Sequence, residues 1–155
     1  MQTTIRLATI MIVTTIVACG NSPTAGAANA AASDPCSLLT KEDAAAALGE
    51  AVTGPKSMSF PEVSGCGYTG SGSHEIQLTV RPLKPAEAAI YRGLCAEKGK
   101  EGLSGLGDVA CWYDKRHEEL QVLKGTTFVS IELRKSGDPT EAIKAAMKKV
   151  FDRLK

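Results

Sequence analysis

The chain has 155 residues, of which 18 are basic, 17 are acidic and 2 are histidine, for a formal net charge of +1. This length suits one domain with a single core. The balanced charge gives the chain no electrostatic reason to bind nucleic acid or a strongly anionic surface, so we expect no nucleic-acid partner.

The N-terminus has the layout of a secretory signal. Arg6 precedes an apolar stretch from Leu7 to Ala18 that only threonines interrupt and that is too short to span a bilayer comfortably. The next residue, Cys19, follows a small residue and resembles the cysteine of a bacterial lipobox, whose thiol receives a diacylglycerol. We predict that residues 1–18 are a lipoprotein signal peptide and that Cys19 becomes the acylated N-terminus. The alternative is an ordinary leader or a weak membrane helix with an incidental cysteine.

The stretch that follows Cys19 predicts a flexible tether over residues 19–33. Its residues are small, polar and uncharged, and they cannot build a core. Cleavage removes one charged residue, Arg6, so the mature chain has a formal net charge of zero. Its attachment to the membrane must therefore depend on lipid, and two or three acyl chains give stable attachment. We expect a membrane-anchored lipoprotein on the exported side, in the periplasm or outer membrane or on the outer face of the cell membrane.

The remaining cysteines indicate an exported, disulfide-bonded domain. Setting Cys19 aside leaves an even number, which predicts a framework with three possible connectivities. No two cysteines have C-x-x-C spacing, so a redox-active dithiol and a structural zinc site are both disfavoured. The four are Cys36, Cys66, Cys95 and Cys111.

Residues 34–155 are predicted to form a single α+β domain. Thr40 and Gly49 suit the two ends of a helix, and Asp138-Pro139 suits the start of another. Alternating apolar residues indicate half-buried antiparallel strands. In chain order we predict a helix over 41–48, a loop over 50–62, strands over 65–69 and 75–82, a helix over 86–98, strands over 109–113, 120–123 and 129–134, and a helix over 139–154.

The order α-β-β-α-β-β-β-α predicts a five-stranded, mainly antiparallel sheet with three helices packed on one face. In the second helix, Ile90 and Leu94 belong to a set of apolar residues at helical spacing. The last helix carries a continuous apolar stripe, and we expect its lysines and arginine to form a solvated face.

Two segments echo each other and favour one disulfide connectivity. Each has a strand with C-x-Y, a polar turn and a returning strand that starts with His-Glu, and each follows a helix with a cysteine in or just before it. The simplest connectivity therefore pairs Cys36 with Cys66 and Cys95 with Cys111, tying each helix to the first strand of its own hairpin. The alternative is a chance similarity between two hairpins.

The only histidines, His74 and His117, both stand next to glutamate at predicted hairpin turns. If a pseudo-twofold axis brought the turns together, the two imidazoles and nearby carboxylates could bind a metal. Two exposed turn residues are the favoured alternative, and we expect neither a metal nor another cofactor.

Nothing in the sequence predicts a catalytic residue. Ser64 and Ser104 lack the G-x-S-x-G spacing, and the domain's cysteines are expected to be bridged. The glycine-rich stretch 102–107 precedes a strand and does not open a helix, unlike a nucleotide-binding loop. We expect Trp112 to pack on the neighbouring disulfide.

Several motifs resemble a large group of uncharacterised small bacterial envelope lipoproteins, common in actinobacteria, with a "CsLLt…aalG…CtY" opening. The matching stretches here are PCSLLT at 35–40, ALG at 47–49, CGY at 66–68 and GLGDVA at 105–110. The resemblance covers residues 34–154. It implies the Cys36–Cys66 disulfide and carries over no catalytic residue.

These observations predict a non-enzymatic, lipid-anchored envelope protein whose domain binds a small ligand or another envelope protein. The alternative is an envelope enzyme or enzyme inhibitor that acts through the 50–64 loop and the hairpin ends.

Overall fold

The computed structural model describes residues 34–97 and 103–154. Within these ranges the chain forms four helices and one six-stranded sheet. The elements are α1 (Pro35–Leu38), α2 (Lys41–Leu48), β1 (Thr53–Phe60), β2 (Val63–Thr69), β3 (Glu75–Pro82), α3 (Pro85–Glu97), β4 (Val109–Trp112), β5 (Glu119–Lys124), β6 (Thr127–Arg134) and α4 (Thr140–Arg153). The predicted signal peptide 1–18, the lipidation site Cys19 and the tether 19–33 lie outside the described residues. No helix in the described ranges is long and apolar enough to cross a membrane.

The sheet has the order β1-β2-β3-β6-β5-β4, and every neighbouring pair is antiparallel. The predicted α+β class and antiparallel sheet are therefore confirmed. The predicted counts of five strands and three helices are wrong, because the described residues hold six strands and four helices.

The additional strand is β1, which lies within the predicted 50–62 loop. It forms the sheet edge, and its residues are exposed except for the partly buried Met58. An exposed edge strand needs no alternation of apolar and polar residues, and an edge tolerates the Gly54-Pro55 pair that otherwise marks a turn. The additional helix, α1, is a single turn started by Pro35 and capped by the Asp34 carboxylate, so it is too short to show periodicity.

The predicted ends of α2 are confirmed, with a side-chain cap at its start. Thr40 and the third residue of α2, Asp43, form a reciprocal capping box, and Gly49 ends the helix at φ 77°. Helix α4 begins at Thr140, one residue later than predicted, and its N-cap is Pro139 instead of Asp138, although the Asp138 carboxylate accepts a hydrogen bond of 2.9 Å from the Thr140 backbone N–H. The predicted apolar stripe of α4 is buried at Ile143, Ala146, Met147 and Val150.

The helices cover both faces of the sheet, so the prediction that all of them share one face is wrong. The main core combines α1, α2 and α4 with one face of all strands from β2 to β6. A second, smaller cluster lies where α3 packs on the other face of β4, β5 and β6. These strands have apolar residues on both faces, so they need cover on both sides. The second cluster contains Leu83, Ala88, Cys95, Val109, Cys111 and Leu123, with Tyr91 and Phe128 packed against it.

The predicted helix over 86–98 exists as α3, although residue 98 lies outside the described residues, and its buried side differs from the expected one. Ile90 and Leu94 remain 65% and 55% exposed. The buried positions are Ala88 and Cys95, because the Cys95–Cys111 disulfide fixes that side of the helix against β4.

The two disulfides join the predicted pairs. Cys36 in α1 bonds to Cys66 in β2 with a Cα–Cα distance of 5.0 Å, and Cys95 in α3 bonds to Cys111 in β4 with a Cα–Cα distance of 5.5 Å. Each bridge ties a helix to the first strand of its own hairpin, as expected. The prediction that Trp112 packs on the neighbouring disulfide is wrong, since successive side chains of a strand point to opposite faces and Trp112 belongs to the main core.

Candidate functional site

A groove of about 440 Å³ opens at one end of the sheet. Strands β3 and β5 both run antiparallel to β6, so both begin where β6 ends, with Glu75 opposite Arg134 and Glu119 opposite Glu132. The topology therefore brings together the β2–β3 turn, the β4–β5 loop and the connection from β6 to α4. The groove is lined by Ser73, His74, Glu75, Arg116, Glu118, Arg134, Lys135 and Ser136.

His74 is held on both of its ring nitrogens. Its Nδ1 lies 2.7 Å from Glu50 Oε1, and its Nε2 lies 3.1 Å from Ser136 Oγ and accepts a hydrogen bond of 3.3 Å from the Ser136 backbone N–H. A backbone N–H can only donate, so Nε2 carries a lone pair and the proton of the neutral ring is on Nδ1. The ring therefore donates to Glu50 and accepts from Ser136.

The Glu50 carboxylate is held in turn by the β2–β3 turn. It accepts hydrogen bonds from the Ser71 hydroxyl and from the Ser71 backbone N–H. The hydrogen bonds from Ser71 and then from His74 lower the pKa of Glu50 from 4.5 to about 2. A side chain at Gly70 would collide with this carboxylate, so the glycine permits the close approach. Glu50 is consequently ionised and fixed in place at neutral pH.

The charged residues of the groove are paired with one another at its surface. Arg134 bonds to Glu75 at 2.8 Å and to Glu132 at 2.6 Å, and Arg116 bonds to Glu118 at 2.9 Å. Arg116 and Arg134 remain 78% and 57% exposed, so these pairs contribute little to stability and are easily exchanged for a ligand.

The lining of the groove contains more cationic residues than carboxylates. Three cationic residues stand against two carboxylates there, and the further carboxylates that contact His74 and Arg134, those of Glu50 and Glu132, are not part of the lining. The third cationic residue, Lys135, extends its ammonium group to the Ala47 carbonyl at 3.1 Å, which connects the groove to the end of α2.

The second predicted metal-ligand candidate, His117, does not line the groove. Its ring stacks on Trp112 with 4.6 Å between centroids, and its Nδ1 lies 3.2 Å from the Thr140 hydroxyl. Among the described residues there is no group of three His, Cys, Asp or Glu side chains that could hold a metal ion. The structure thus brings His74 together with Glu50 and Ser136 instead of with His117.

Sequence reasoning missed Glu50 and Ser136. The residues that meet at His74 lie 24 and 62 positions away along the chain, so no local motif joins them. Each does stand beside a glycine with positive φ: Glu50 follows Gly49 at the end of α2, and Ser136 precedes Gly137 in the connection from β6 to α4. That shared position is the one local signal that could have drawn attention to them.

A second polar cluster, around Asp43, has a structural role. The Asp43 side chain is 5% exposed and accepts hydrogen bonds from Thr40, from Lys149 at 2.9 Å and from Arg153, which also donates to the Leu38 carbonyl. Burial raises the pKa of Asp43, but the hydrogen bonds from Arg153, Lys149 and Thr40 lower it well below its ordinary value. Lys149 and Arg153 thus lie on the expected solvated face of α4 and in addition hold this buried carboxylate.

Comparisons with protein-family models, curated proteins and solved structures gave no match. The resemblance to small envelope lipoproteins stays a prediction.

Proposed function

We propose that the chain is a lipid-anchored envelope protein, attached through Cys19, whose 34–155 domain binds a small ligand with an anionic group. The observation that carries the binding proposal is the groove at the end of the sheet, whose lining holds three exposed or partly buried cations, Arg116, Arg134 and Lys135, against two carboxylates. The anchor rests on the N-terminal sequence pattern.

The groove is suited to binding because its framework is fixed while its charges remain accessible. The contacts of His74 with Glu50 and Ser136 join the end of α2, the β2–β3 turn and the β6–α4 connection. Arginine side chains offer several N–H donors in a plane, the arrangement that recognises carboxylates and phosphates. A small anion can therefore replace the exposed internal carboxylate partners without rearranging the sheet.

Removing two of the cations should weaken anion binding. In the full chain purified in detergent, we expect succinate to bind and the double variant Arg116→Ala/Lys135→Ala to bind it at least about tenfold more weakly, because a hydrogen bond to a charged group contributes roughly 1.5–3 kcal/mol. Isothermal titration calorimetry at fixed ionic strength measures the change. The matched control is Lys56→Ala/Lys148→Ala, which removes the same charge at exposed positions outside the groove. Equal affinities for succinate in the two double variants would contradict the proposal.

The anchor has its own test. The variant Cys19→Ala should be released from the membrane fraction, because no acyl chain can then be attached, while its folded domain keeps the thermal unfolding midpoint of the wild-type protein. Fractionation of cells expressing either protein measures the release, and circular dichroism measures the midpoint. Persistence of the variant in membranes after leader cleavage would refute the anchor.

The second candidate function, an enzyme inhibitor, now depends on a hairpin end instead of a long loop, since residues 53–60 form a strand. One observation favours it. Phe60, the last residue of β1, is 66% exposed beside the turn to β2. Exposed aromatic side chains are enriched at the interfaces by which proteins bind one another.

A further inference from the structure

We propose that Ser136, His74 and Glu50 form a nucleophile–base–carboxylate relay and that the groove hydrolyses small esters bearing an anionic group. This inference rests on the proposed ligand-binding role of the groove and extends it from binding to turnover. It assigns an acyl-transfer activity that no local sequence motif indicates.

The geometry of the three side chains matches the requirements for an activated serine. The Ser136 hydroxyl lies 3.1 Å from His74 Nε2, and His74 Nδ1 lies 2.7 Å from Glu50 Oε1. Nucleophile and base are therefore within hydrogen-bond reach, and a third group orients the base. The Nε2 lone pair faces both the Ser136 hydroxyl at 3.1 Å and the Ser136 backbone N–H at 3.3 Å, so proton transfer from the hydroxyl to Nε2 requires the longer bond from the backbone N–H to break.

The local backbone supports the assignment of Ser136 as the nucleophile. Ser136 lies between β6 and α4, and the next residue, Gly137, has a φ of 81°. This connection, residues 135–139, places the Ser136 hydroxyl beside His74 at the end of the sheet where β3 begins. Both Ser136 and His74 line the groove, so a bound ester can reach them.

The chemical step balances with water as the only co-reactant. Ser136 Oγ attacks the ester carbonyl carbon and forms a C–O bond while its proton passes to His74 Nε2. The bond from the carbonyl carbon to the leaving oxygen then breaks, and Nε2–H protonates the leaving alkoxide. Water next attacks the acyl-serine with His74 as the base, which releases the carboxylic acid and restores the serine.

Glu50 and the groove cations supply the electrostatics of this step. The ionised Glu50 holds the ring orientation and stabilises the imidazolium, so it is a positioning residue. Arg116 and Lys135 place positive charge around the bound ester, where it attracts the anionic group and the developing oxyanion. A purely structural role would use the contacts of His74 with Glu50 and Ser136 only to join the end of α2, the β2–β3 turn and the β6–α4 connection. The experiment distinguishes this structural role from the catalytic one.

The experiment uses the full chain in detergent, a fluorophosphonate probe and the mono-p-nitrophenyl ester of succinate. We expect one covalent adduct at Ser136, located by peptide mass spectrometry, and ester hydrolysis that Ser136→Ala abolishes. His74→Gln should lower kcat at least about 100-fold, the typical contribution of a general base. Glu50→Gln should lower kcat at least about tenfold with KM unchanged, an effect that a purely structural contact does not produce.

The matched control is Ser59→Ala, which removes an exposed serine of β1 and should leave labelling and hydrolysis unchanged. Circular dichroism confirms that each variant is folded. Absence of an adduct at Ser136, or undiminished hydrolysis in folded Ser136→Ala, overturns the relay; if succinate still binds, the proposed binding function stands. A wild-type chain that neither binds succinate nor hydrolyses the ester overturns both.

Discussion

Replacing Asp43 by alanine is expected to lower the free energy of unfolding by about 3 kcal/mol, the lower end of the cost of breaking a buried ion pair by removing one partner. The carboxylate is 5% exposed and is bonded to Thr40, Lys149 and Arg153. Its removal deprives α2 of its capping box and breaks the link from α2 to α4. The expected loss of unfolding free energy lies at the lower end of that range because the side chains of Lys149 and Arg153 are 49% and 37% exposed, so water can solvate their charges in the variant. Urea unfolding followed by circular dichroism measures the change.

Two comparisons identify the cause of this loss. Asp43→Asn keeps an acceptor for the cap but removes the charge, so we expect a smaller loss than for alanine. Asp152→Ala removes an exposed carboxylate near the end of α4 and should change the stability by less than about 0.5 kcal/mol. A loss in Asp152→Ala as large as that in Asp43→Ala would contradict the assignment of the effect to the buried cluster.

The pH dependence of the same effect has a defined sign. The pKa of Asp43 in the folded chain lies below 3.8, its ordinary value, so the folded state binds fewer protons than the unfolded state as the pH falls. The contribution of the ionised carboxylate is therefore complete above about pH 4 and declines as the pH falls through the folded-state value. The stability difference between wild type and Asp43→Ala should narrow in that range.

Local rules predicted those parts of the fold in which residues close together in the sequence determine burial and helix capping. The helix start at Thr40, the alternation of Ile76, Leu78 and Val80, and the apolar stripe of α4 all appear where expected. Edge strand β1 could not be predicted in this way, because it is exposed and so carries no burial pattern. The helical spacing of Ile90 and Leu94 indicated the wrong buried side of α3, although the predicted Cys95–Cys111 bridge already fixes that helix to β4 through Cys95.

The candidate site was predictable only in part, because it depends on sheet topology. The sequence indicated that His74 and His117 begin returning strands, but it did not show that β6 lies between those strands. The position of β6 brings Ser136 to His74, while His117 stacks on Trp112. A site assembled from the ends of non-neighbouring segments has no spacing that a single sequence can reveal.

Removing the Cys36–Cys66 bridge should lower the free energy of unfolding of the whole domain by about 3.5 kcal/mol, from the loop-closure entropy of a 30-residue separation. The effect should be global, because Cys66 is fully buried in the main core and the bridge attaches α1 to the central part of that core. Chemical unfolding of Cys36→Ala/Cys66→Ala against wild type measures the loss.

The Cys95–Cys111 bridge provides the matched control, because its removal should open one helix locally and should not destabilise the whole domain. It closes a separation of 16 residues, with a loop-closure contribution of about 3 kcal/mol, but α3 otherwise packs through the small second cluster and a few exposed polar contacts, such as those of Arg92 with Asp108 and Gly125. In Cys95→Ala/Cys111→Ala we therefore expect α3 to open locally, with fast tryptic cleavage after Arg92 and near-native hydrogen-exchange protection in β3 and β6. Cys36→Ala/Cys66→Ala should instead lose protection across the sheet while Arg92 stays resistant until the domain unfolds. The same response in both double variants would show that the two faces of the sheet unfold as one unit and that the second cluster has no separate stability.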